Sequence, residues 1–109
     1  MAYAATYAPD SPERAAIEAR QGLLLLEFGV DWCPHCQAAQ SPLASALADY
    51  PELSHLKVED GPGRPLGRSY RVKLWPTLIF IRDGQEVERL VRPTAQPEIA
   101  AALARLAAG

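Results

Sequence analysis

Short, continuously apolar runs alternate along the chain with stretches in which apolar residues recur every three or four positions. Residues 23–28 are apolar except for Glu27, the length and character of a parallel strand covered on both faces. Residues 77–81 form a second such run, and 53–59 a third strand with Leu56 and Val58 on one side. Asp83-Gly84 is a two-residue hairpin signal, so 86–91 should pair antiparallel with 77–81. Ala39, Leu43, Leu47 and Tyr50 predict a helix that opens with Pro34, is kinked at Pro42 and stops at Pro51. Ile99, Leu103 and Leu106 mark another over 97–108. Ser11 before Pro12 and Glu13 reads as the cap of a helix reaching Gln21 and stopping at Gly22. A short helix over 66–71 follows a loop at 61–65, and residues 4–7 read as a short edge strand. This order predicts an α/β architecture, a central mixed β-sheet of four to five strands flanked by helices on both faces.

Composition narrows the function. With 109 residues, no internal repeat and no linker, one domain over 1–109 is expected. Net charge is −2 and the basic residues are scattered, which argues against nucleic acid or an anionic membrane as partner. No stretch is long enough to span a bilayer. The first residues have neither a basic n-region nor a sustained apolar h-region, so a cytoplasmic protein is expected. Only two cysteines are present, too few for a framework of structural disulfides.

Those two cysteines carry the chemistry. Cys33 and Cys36, separated by Pro34-His35, stand at the start of a helix after an apolar strand. Three residues apart on a helix, the thiols share a face and can close a disulfide. The positive end of the helix dipole favours a thiolate on Cys33. A pair of inert buried thiols fits this position poorly. A zinc site fits poorly as well, because His35 lies between the cysteines and His55 is distant in sequence; His55 reads as a solvated strand residue. No metal and no organic cofactor are expected, only the redox-active Cys33–Cys36 pair.

Trp32-Cys33-Pro34-His35-Cys36, Trp75-Pro76-Thr77 and the Asp83-Gly84 hairpin, in this order and spacing, resemble the thioredoxin family over nearly the whole chain. The resemblance implies the thioredoxin fold and thiol–disulfide exchange. In it Cys33 matches the nucleophile and Cys36 the resolving thiol. Glu27 matches a buried acid that takes the Cys36 proton, and Lys57 a lysine that pairs with that acid. Trp32, Pro34, Trp75 and Pro76 match the substrate groove, with Pro76 the cis-proline. The implied partners are a disulfide-containing protein and a reductase or glutathione system, met by a monomer.

Departures from the family pattern sharpen the reading. Pro34-His35 stands where thioredoxins carry Gly-Pro and is the dipeptide of the oxidase DsbA. Gln37 replaces a lysine, Trp75 a smaller aliphatic residue, and Arg92 a groove-lining glycine. His35, by ring or backbone, and Arg92 should both stabilise the Cys33 thiolate and make the disulfide more oxidising. Thioredoxin and DsbA differ by about 7 kcal/mol for two electrons, and the dipeptide should move this chain part of that way. Trp75 and Arg92 imply a narrower groove. The rival reading is a non-catalytic module of the same fold, a redox sensor or a chaperone.

Overall fold

The computed structural model describes residues 3–109. Its first helix, α1 (Arg14–Glu18), is shorter at both ends than the 11–21 expected. Glu13, not Ser11, holds the N-cap position, and only Ile17 is buried, so no apolar stripe anchors further turns. Gly22 then turns the chain at φ 86°, a region open to glycine, into β1 (Leu23–Gly29). There follow α2 (Pro34–Leu47), β2 (Ser54–Glu59), α3 (Pro65–Ser69), β3 (Thr77–Arg82), β4 (Gln85–Val91) and α4 (Gln96–Ala108). Pro42 lies within α2, which continues through it and ends before Tyr50; the Tyr50 N–H then bonds the Leu47 carbonyl at 2.9 Å.

The strands form one mixed sheet in the order β2-β1-β3-β4. β2 runs parallel to β1, whereas β3 is antiparallel to both β1 and β4. Residues 4–7 are not a strand. The segment touches the sheet edge through a single parallel bridge, Ala8 to Val58, with the Ala8 N–H on the Lys57 carbonyl at 2.8 Å. Pro9 has no N–H with which to extend that ladder.

Side-chain alternation along β1 builds two cores. Leu24, Leu26 and Phe28 pack with Val58, Ile79 and Ile81 against Ile17, Leu66 and Tyr70. Leu25 faces the other way and joins Leu78 and Phe80 against Leu43 and Leu47 of α2 and Ile99 and Leu103 of α4. Each such fully buried leucine contributes about 1.5–3 kcal/mol. Glu27 is odd-numbered, so it points into the α2 side of the sheet.

The hairpin confirms its sequence signal. Asp83 and Gly84 have φ of 50° and 81°, the paired positive values of a type I′ turn. Glycine is required at 84 for a second reason: a Cβ there would stand 2.0 Å from the Glu18 carbonyl oxygen. Asp83 also closes on the β1 entry, its Oδ1 accepting from the Gly22 N–H at 2.7 Å.

Candidate active site

Cys33 is the N-cap of α2 and Pro34 its first helical residue. Proline costs nothing there, since the first-turn N–H groups have no helical acceptor. The Cys33 thiol makes no side-chain capping bond; its thiolate does benefit from that position. Burial works against ionisation, but the N–H and thiol of Cys36, the N–H of His35 and the charge of Arg92 together hold the Cys33 pKa below that of an ordinary cysteine. His35 thus contributes its backbone; its ring is on the exposed side of the turn. Cys36 lies deeper, and burial with the adjacent Cys33 pushes its pKa up to about 11. Both thiols are free. The pair is therefore split into an acidic outer and a weakly acidic inner thiol.

The groove residues surround this pair. Trp32 is exposed, and its ring meets Trp75 edge-on with centroids 5.8 Å apart. Trp75 packs against the cluster of Tyr7, Val30, Cys33 and Cys36, and donates its indole N–H to Asp60 at 2.9 Å. The Trp75–Pro76 peptide is cis. Arg92 takes φ 52°, a backbone suited to the glycine it replaces in the family pattern. Its N–H bonds the Pro76 carbonyl at 2.9 Å and its Nε the Trp75 carbonyl at 2.8 Å. The exposed guanidinium is thereby anchored beside the cis-proline loop, where its charge acts on Cys33.

Behind Cys36 the structure corrects two expectations. Glu27 is fully buried, but Lys57 does not pair with it. Lys57 Nζ donates to the Ala5 carbonyl at 3.1 Å and to Gln40 Oε1 at 2.8 Å, and lies 4.3 Å from the Tyr7 ring centroid. Gln40 then turns its amide N–H to Glu27 Oε2 at 3.0 Å, so the lysine acts on the acid through an intervening amide. The direct partner is His55, whose side chain is completely buried, not solvated; its Nε2 meets Glu27 Oε1 at 2.8 Å. The Ala4 N–H donates to His55 Nδ1 at 2.9 Å, which assigns Nε2 as the donor to Glu27.

Tyr7 completes the network and was not foreseen. Its hydroxyl donates to Glu27 Oε2, and the residue packs beside the Cys36 thiol. Gly29 makes this approach possible, since a Cβ there would stand 2.6 Å from both Cys36 Sγ and the Tyr7 oxygen. Burial alone would raise the Glu27 pKa, but the bonds from His55, Tyr7 and Gln40 outweigh it and hold the acid below its usual range. Part of this was readable. His55 and Lys57 alternate onto the same side of β2, beside Glu27, and Gln40 lies one helical turn past Cys36. No periodicity marks Tyr7.

Beside Trp75, a cavity of about 580 Å³ is lined by Arg64, Arg68, Arg71, Lys73 and Asp60. These four basic residues lie within positions 64–73, a local concentration that the reading of scattered basic residues overlooked.

A split dithiol at a strand-to-helix turn, on a mixed sheet beside a cis-proline loop, defines a thioredoxin-like redox protein. The thioredoxin family model matches residues 10–105, and the chain belongs to the thioredoxin family, whose members are thiol–disulfide oxidoreductases. It is similar to a thioredoxin of Chlamydia trachomatis, 39% identical over 82 residues that span 74% of this chain and 79% of the relative. Among solved structures it resembles reduced thioredoxin 2 of Pseudomonas aeruginosa, at 54% identity and TM-score 0.86 over 94% of each chain. It also resembles the Edwardsiella tarda protein Trxlp, at 29% identity and TM-score 0.74 over 87% of this chain and 95% of the other. Among the described residues no helix is long and apolar enough to cross a membrane.

Proposed function

We propose that the protein is a protein-disulfide oxidoreductase working through Cys33 and Cys36, with a disulfide more oxidising than that of ordinary thioredoxin. The observation that carries this reading is the placement of the two thiols, Cys33 capping α2 and Cys36 buried behind it, which divides their acidity. The Cys33 thiolate attacks a substrate disulfide, forming a mixed disulfide and releasing one substrate sulfur as thiolate. Cys36 then attacks Cys33 Sγ, which expels the second substrate sulfur and leaves the Cys33–Cys36 disulfide. Two electrons pass from the dithiol to the substrate. With a pKa of about 11, Cys36 must give up its proton as it attacks. Its proton moves to the Tyr7 oxygen while the Tyr7 proton moves to Glu27, so Tyr7 stays neutral and Glu27 becomes the acid.

Thiolate stabilisation at Cys33 favours the dithiol over the disulfide, which supports the oxidising character. Arg92 supplies part of that stabilisation, and the His35 ring none that is visible. Trp32, Pro34, Trp75 and Pro76 form the groove for an extended disulfide-bearing chain. In this reading the chain acts as one monomeric domain in the cytoplasm, recycled by a reductase or a glutathione system. The test is turnover of a model protein disulfide together with the reduction potential in glutathione buffers. Turnover abolished by Cys33→Ser, with a potential above about −270 mV, is expected. Wild-type protein that forms no Cys33–Cys36 disulfide would refute the enzyme reading, and a potential at or below thioredoxin's would remove the oxidising character alone.

A further inference from the structure

We propose that the basic cavity beside Trp75 docks an acidic segment of the substrate protein, adjacent in sequence to the cysteine that Cys33 attacks. The proposal rests on the oxidoreductase reading above and names its substrate class. Arg64, Arg68, Arg71 and Lys73, four of the chain's 11 basic residues, face the cavity against a single carboxylate, Asp60. Asp60 is engaged by the Trp75 indole at 2.9 Å, and Arg64 by Glu59 at 3.1 Å. Among the described residues Arg68, Arg71 and Lys73 form no salt bridge and no side-chain hydrogen bond, and all three are exposed. Three unpaired cations on one wall repel each other, a cost that an anionic ligand removes.

The backbone that carries them is ordered without a ligand. The Arg71 N–H bonds the Arg68 carbonyl at 3.0 Å and the Val72 N–H bonds the Gly67 carbonyl at 2.9 Å. The volume, about 580 Å³, exceeds one carboxylate and suits two or three side chains of a peptide.

Trp75 links this cavity to the chemistry. One side of the indole forms the cavity wall, and the residue also packs against the cluster that holds Cys33 and Cys36. A chain extended across the groove at Pro76 therefore runs from Cys33 past Trp75 into the cations, and Arg92 prolongs the positive field towards the thiolate. The rest of the surface is net acidic, since the whole chain carries −2 despite this cluster. A long polyanion such as nucleic acid would be repelled beyond the cavity, whereas a short acidic segment would not.

The test compares two synthetic disulfide peptides that differ only in three glutamates or three glutamines beside the attacked cysteine. Their reduction rates by the reduced protein are measured at low and at high salt. In parallel, binding of the same peptides with serines in place of cysteines is read by fluorescence anisotropy. The acidic peptide should react and bind at least about fivefold better at low salt. That preference should collapse towards unity at about 1 M salt and in the triple variant Arg68→Gln, Arg71→Gln, Lys73→Gln. Equal rates and affinities for the two peptides, or a preference that survives the triple substitution, would overturn the proposal. If neither peptide is reduced, the oxidoreductase reading fails, and the anisotropy ratio alone still decides for or against the docking site.

Discussion

Removing a single oxygen atom tests the proton path behind the dithiol. In Tyr7→Phe the ring keeps its place over Lys57, but Glu27 Oε2 loses its hydroxyl donor and Cys36 the hydroxyl of the residue packed beside it. Glu27 retains His55 at 2.8 Å and Gln40 at 3.0 Å, so the acid remains bound but is separated from the thiol. A hydrogen bond to a charged group is worth about 1.5–3 kcal/mol, and the variant should lose roughly that much folding stability. The chemical effect is confined to the second step. A positioned proton acceptor contributes about 10²–10⁴-fold, and since Glu27 persists, the loss should lie at or below the bottom of that range, about 10–100-fold. The assay is stopped-flow: a thionitrobenzoate group is placed on Cys33, and its release by Cys36 is followed by absorbance while its formation is followed separately. Release should slow relative to formation, most of all at low pH. A release rate within about twofold of wild type in a folded variant would refute the relay.

Two further outcomes follow from the same electrostatics. Arg92→Gly keeps a backbone that suits φ 52° and removes the charge that favours the thiolate; alkylation of Cys33 should shift its pH midpoint upward, and the disulfide should become less oxidising. An unchanged midpoint would show that the guanidinium does not act on the sulfur. Glu27→Gln tests acid stability: because the folded-state pKa of Glu27 is depressed, its ionisation stabilises the fold above the unfolded carboxylate range near about 4.3. That stability is lost as pH falls through the folded value. Urea midpoints of the wild type should therefore fall more steeply on acidification than those of the variant, and parallel curves would contradict the depressed pKa.

Most of the sheet was legible because its strands are covered on both sides, so apolar runs and strand lengths coincide. The hairpin was legible because Asp83-Gly84 allows few other conformations. The position of the two cysteines at the head of α2 and the burial of Glu27 were legible from spacing and from resemblance to the family. The errors lie where polar groups are buried. A strand histidine reads as solvated and a strand lysine as the acid's direct partner; only the third dimension shows that His55 holds the acid and that both side chains turn under the N-terminal segment. Tyr7 lies outside every regular element, so neither a period of two nor one of 3.6 could single it out. The boundaries of α1 failed for a related reason: a capping serine signals a start, but one buried residue, Ile17, cannot sustain three turns.

The segment from Tyr3 to Ala8 adds only one bridge to the sheet, yet it closes the roof over the buried acid. Tyr3 donates to Gln40 at 2.8 Å, Ala4 to His55, and Ala5 accepts from Lys57, while Tyr7 donates its hydroxyl to Glu27. Substitutions along this segment therefore bear on the proposed redox site, although it lies far from both cysteines in sequence. Peeling this strap away would wet the acid and, in the proposed reaction, part the inner thiol from its proton acceptor, leaving Cys33 and the Trp75–Pro76 loop in place. Such a protein would still capture substrates and would be slow to let them go.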